Sequence, residues 1–230
     1  MKKAIIIMKK DLQEIIRNWQ IFGVFIILPI VLGLLPPLML LTMPLEAAPI
    51  IVSLFNSLFL IMAVIIPITV ASDSFAGEKE RKTIEALLAA PISDSELFLG
   101  KVLVSFVPAV LITYLSATLY CILINLIVQI FLLPNLPFLF IMILVPVFAL
   151  FSIELIVFVS VRVKGFREAQ QLAILCIIPV IVIIFLNFIG IPILFFPWNV
   201  LLLIGLIIID IGFYGLAVKK FGRENIITRI

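Results

Sequence analysis

Apolar residues run through this chain in stretches of about twenty or more, each closed by a short polar or proline-marked break. Six stretches, at roughly 21–43, 50–72, 97–133, 138–161, 170–188 and 199–218, come close to or exceed the ~20 residues a helix needs to cross a bilayer. The first carries Pro29 and Pro36-Pro37, and the second Pro67 near its inner end. The third is too long for one perpendicular crossing, so it must tilt, kink at Pro108 or begin on the surface. Glu46 with Pro49, Pro134-Asn135-Leu136-Pro137, and the uncharged stretch 190–198 are the expected outer connections. Ahead of the first span, Ile5, Met8, Leu12, Ile15, Ile16 and Trp19 recur at helical spacing against Lys3, Lys10, Glu14 and Arg17. That pattern predicts an amphipathic helix over residues 1–20, lying on the membrane surface. A cleaved signal peptide fits less well, because the charged lead is long and the apolar run that follows exceeds ~15 residues.

Composition and charge fix the orientation. With 65% hydrophobic and 13% charged residues, the chain is far more apolar than a soluble domain. All 16 basic residues fall into four clusters: Lys2 to Arg17; Lys79, Arg81, Lys82 and Lys101; Arg162, Lys164 and Arg167; and Lys219 to Arg229. Two crossings fit between successive clusters. The positive-inside rule then places every cluster, and both termini, in the cytoplasm of a multi-pass cell-membrane protein. A nucleic-acid surface would gather these charges on one folded face, so no nucleic-acid partner is expected. Cys121 and Cys176 lie in apolar runs and there is no His, which leaves no disulfide framework and no Cys/His metal site.

One polar island is long. From Gly77 to Ser93 it reads as a charged helix, with Glu78–Lys82 and Arg81–Glu85 at i,i+4 and an apolar edge of Ile84, Leu87 and Leu88. Pro91 ends that helix, and Ser93 with Glu96 matches a capping box opening the next. Such dense charge is poorly explained by local helix pairs worth ~0.3–0.5 kcal/mol each, although a solvated loop is the plain alternative.

From Asp73 to Lys101, the sequence Gly-Glu-Lys-Glu-Arg-Lys-Thr, Ile-Glu-Ala-Leu-Leu, Pro-Ile-Ser and Leu-Gly-Lys resembles the type-2 permeases of ATP-binding-cassette (ABC) transporters. Lys10-Asp11-Leu12 before the first span and Arg167-Glu168-Ala169-Gln170-Gln171 before the fifth follow the same family order. The resemblance implies an all-α integral membrane protein: one transmembrane domain over 1–230, with six spans, the interfacial helix and a cytoplasmic coupling helix at 77–90. It also implies an exporter permease that pairs with a second permease chain, as homo- or heterodimer, and with an ABC ATPase subunit. Gly77, Glu78, Glu80, Arg81, Thr83, Ile84, Glu85, Leu87 and Leu88 would then be the ATPase-coupling residues. ATP and Mg would sit on the partner, since this chain has no Gly-x-x-x-x-Gly-Lys-Ser/Thr loop and binds no cofactor of its own.

Within the spans, Ser105, Thr113, Ser116 and Tyr120 share a helix face, suited either to helix packing or to a substrate pathway. Glu154 and Asp210 are intramembrane carboxylates at similar depth, roughly 12 and 14 Å from the basic residues that follow them. They suit a cation or proton site, a polar patch in the conduit, or a protonated pair buried between helices. An ATP-independent carrier or channel built on these two acids is the competing function. No motif around any Ser or Asp supports an intramembrane protease, so no enzyme activity is expected of the chain itself.

Overall fold

The computed structural model describes residues 2–44, 46, 48–83, 93–129, 132–160, 163, 165–191, 193–194 and 197–220. Among these residues every regular element is helical. Lys2–Arg17 forms the amphipathic helix, and the six spans follow: Trp19–Leu40; Ala48–Ser72 and its continuation; Asp94–Val128; Leu136–Ser160; Phe166–Ala173 joined by a 3₁₀ turn to Ile177–Phe188; and Trp198–Lys220. All six are long and apolar enough to cross a membrane.

The second span is the core of the bundle. In its most apolar window 72% of residues are buried, against 6% in the sixth span, which is consequently peripheral. Phe59, Tyr120 and Phe138 pack with ring centroids 5.2–6.1 Å apart and lock spans two, three and four together. The third helix runs unbroken for 35 residues, about 52 Å at 1.5 Å per residue. It is longer than a ~30 Å hydrocarbon layer, so it must tilt or project beyond that layer. Ser93 caps it as expected, its hydroxyl accepting the Glu96 N–H at 3.3 Å.

Two boundaries differ from the sequence expectation. The second span does not end near residue 72: its helix continues through a π turn, Asp73–Gly77, into Glu78–Glu80. It closes only at Lys82, whose φ is +57°, with Thr83 N–H bonding to Glu78 O and Lys82 N–H to Lys79 O. This is a Schellman closure, the same device that Gly190, at φ +85°, provides at the end of the fifth span. Gly77–Glu80 thus continue the central span, and residues 84–90 of the expected coupling helix lie outside the described residues. The fifth span begins at Phe166 rather than at 170.

The amphipathic helix also presents an unexpected face. Ile7, Asp11 and Ile15, one turn apart, are buried against the bundle, while Ile5, Ile16 and Trp19 stay exposed. Ile15 packs with Ile21, Val70 and Val104 from the first three spans. An inward-facing aspartate on this helix requires partners inside the protein, and it has them.

Candidate functional site: a polar arm on the central helix

The extension of the second span, residues 73–83, forms an arm at the charged end of the bundle. Its π turn routes the Glu78 N–H to Asp73 O, five residues back. The Ser74 carbonyl accepts instead from the ammonium of Lys101, which enters from the third helix fully buried. Lys101 also donates to the Glu78 carboxylate, lies 4.0 Å from Asp11 Oδ2, and sits 5.5 Å from the centre of the Phe75 ring. The Ser74 hydroxyl accepts from Lys101 at 3.4 Å and donates to Asp11 Oδ2 at 3.5 Å. One lysine therefore joins the amphipathic helix, the arm and the third span. The i,i+4 partner expected of Glu78 was Lys82, but Lys82 sits at the left-handed helix end while Glu78 is buried on the other side.

Two acids around one ammonium leave a negative excess in a dry site. Burial pushes the Asp11 carboxyl up to about 6 against the opposing pull of Lys101, and Glu78 pushes it the same way. A carboxyl raised on folding contributes stability that is complete below its unfolded value of 3.8 and is lost as pH rises through about 6. Asp11→Asn should therefore gain thermal stability relative to wild type as pH rises from about 3.5 to 7, and match it at the acid end. Melting curves of both purified proteins across that range provide the check. A constant difference at every pH would mean that Asp11 titrates alike folded and unfolded.

The remaining arm residues are also paired. Arg81 donates to Asp73 Oδ1 at 2.9 Å while staying half exposed, and this hydrogen bond holds its guanidinium firmly protonated. Gly77 lies beneath that bridge, where an added Cβ would stand 2.7 Å from Asp73 Oδ1. Glu80 accepts the Phe166 N–H at 2.9 Å, and Lys79 reaches the Val163 carbonyl at 3.5 Å. The Thr83 hydroxyl donates to Glu78 O at 3.3 Å, reinforcing the helix end. Ile84, Glu85, Leu87 and Leu88, the apolar edge and second ion pair of the sequence reading, lie outside the described residues, as do Arg162 and Lys164.

The hydroxyl face of the third helix is buried and bonded. Ser105 and Thr113 donate to carbonyls four residues back, Ser116 to Pro29 O at 3.0 Å, and Tyr120 to Val52 O at 3.5 Å. Gly33 packs directly on Ser116, with 3.2 Å between its notional Cβ and the hydroxyl. The Ser116 and Tyr120 bonds join neighbouring helices, while those of Ser105 and Thr113 stay within their own. Asn125 folds the turn between the third and fourth spans, its carbonyl oxygen accepting from Leu132 and Leu133 N–H and its amide donating to Leu133 O.

Glu154 and Asp210 lie on the fourth and sixth spans, which pack together through edge-on contacts of Phe213 with Phe151 and Phe158. Both are at least nine-tenths buried, and Glu154 Oε2 and Asp210 Oδ1 have no hydrogen-bond partner among the described residues.

Six apolar helices, the most enclosed of which extends into a charged arm, define a multi-pass membrane protein. A model of the ABC-2 family transporter proteins matches residues 5–197, and the chain belongs to that family as a permease of an ABC transporter. No individual curated protein gives a significant match.

Proposed function

We propose that the chain is the permease half of an ABC exporter, in which two permease chains form the substrate pathway and two ATPase subunits bind below. The observation that carries this is the arm: the most enclosed helix of the bundle continues into a polar segment fixed to the amphipathic helix, the third span and the fifth. ATP-driven closure of the ATPases would push this segment and shift the central helix with it. ATP and Mg belong to the partner in this reading. The residues after the Schellman turn, with Ile84, Leu87 and Leu88 as apolar anchors, supply the docking surface, and both termini and the arm are cytoplasmic.

Arg81 tests the docking role, because its exposed half can meet a partner while its other half holds Asp73. Arg81→Glu should lower both thermal stability and the amount of ATPase that copurifies. Restoring the internal bridge with Asp73→Arg/Arg81→Asp should recover stability but not ATPase capture, since the outward charge stays reversed. Capture regained along with stability would restrict Arg81 to an internal role. Orientation has its own test: an impermeant thiol reagent on intact cells should label cysteines placed at 46 and 135 and spare one at 81. The opposite pattern would invert the topology.

A further inference from the structure

We propose that Glu80 and Gly165 form a joint through which the fifth span follows the arm, making Glu80 a positioning residue for the second half of the domain. The inference rests on the coupling role proposed for the arm and adds a second route out of it.

The fifth span starts at Phe166, whose N–H, like those of any first helical turn, has no acceptor within its own helix. Gly165 at the N-cap has no side chain to supply one. Glu80, 86 residues earlier, supplies it at 2.9 Å, placing a carboxylate at the positive end of the helix dipole. Gly165 is not there for backbone freedom, since its φ of −152° is open to any residue. It is there for space: a Cβ would lie 2.8 Å from Glu80 Oε2 and 3.1 Å from its carboxyl carbon. An alanine at 165 would push the Glu80 carboxylate off the helix end without touching backbone elsewhere. Lys79 adds a second strand to the joint through Val163 O. Buried Ala76, Val163 and Ala169 pack as a small apolar cluster between the arm and the start of the fifth span. By contrast the knot around Lys101 ties the arm only to the amphipathic helix and the third span. Glu80 and Lys79 are accordingly the charged side chains seen, among the described residues, to bond the arm to the start of the fifth span.

The joint predicts the protection of one amide. In the full-length chain without nucleotide, hydrogen exchange at Phe166 should accelerate about tenfold in Glu80→Ala and in Gly165→Ala. It should stay near wild type in Glu80→Gln, which keeps an acceptor oxygen. Adding Gly165→Ala to Glu80→Ala should change nothing further, because both act on the same carboxylate. Unchanged exchange in Glu80→Ala would overturn the joint. In the permease–ATPase complex trapped with ATP and vanadate, wild type should show altered exchange both in residues 78–83 and in residues 166–173. In Glu80→Ala and Gly165→Ala the change should persist in the arm and vanish from 166–173. A response at 166–173 that survives in both variants would overturn the inference while leaving coupling intact. No response in either segment of the wild-type complex, with Phe166 still protected by Glu80, would overturn the coupling role itself and the joint's part in it.

Discussion

Lys101→Met should leave little folded permease. The substitution keeps the length of the side chain but removes the cation that donates to Glu78 and to the Ser74 carbonyl and lies 4.0 Å from Asp11, in a fully buried site. Breaking a buried pair by deleting one partner costs about 3–5 kcal/mol, enough to lower the melting midpoint of a chain this size by roughly 10 °C. Glu78→Gln should be much milder, because Lys101 keeps Asp11 at 4.0 Å and the Ser74 carbonyl. Neutralising the whole knot, with Lys101→Met, Glu78→Gln and Asp11→Asn together, should recover most of the loss, since no uncompensated charge remains. Size-exclusion profiles of heated samples rank the variants. Lys101→Met matching wild type would show that water already reaches the site and screens the acids.

How much of this was legible in the sequence varies by element. Long apolar runs, proline breaks and basic clusters are local signals, so all six spans were readable from them to within a few residues at most ends. The Ser93 cap was readable for the same reason, as donor and acceptor are three residues apart. The arm was not. Its charges are plain in the sequence, but their spacing predicts partners one helical turn away. The π turn at 73–77 rotates Glu78 inward, and the left-handed Lys82 ends the helix before a pair at 78 and 82 could form. The actual partners, Lys101 and the Phe166 amide, lie 23 and 86 residues along the chain, a distance only the packing of helices reveals. Two cues did exist: an aspartate, Asp11, in the inward stripe Ile7–Asp11–Ile15, and a lysine at the start of an apolar run. Each is a charge that must be buried with company.

The membrane acids present the opposite energetic case, a charge buried without company. Glu154 and Asp210 sit between the fourth and sixth spans, with no Lys or Arg in either helix before Lys219 and orphaned oxygens on both. A carboxyl of this kind costs about 2.5–3.5 kcal/mol near mid-membrane, and one oxygen of each has no hydrogen bond among the described residues to offset it. If the fold alone were at stake, an apolar side chain would serve better. Glu154→Met/Asp210→Leu should therefore insert, assemble with wild-type efficiency, and melt several degrees higher, since about 1–3 kcal/mol is recovered for each orphaned group removed. Thermal unfolding of the purified double variant is the measurement. A midpoint several degrees lower would mean the acids hold the two spans together, through water or an ion, and belong to the architecture. A higher midpoint means that the chain retains two destabilising acids that the packing of this single chain does not need.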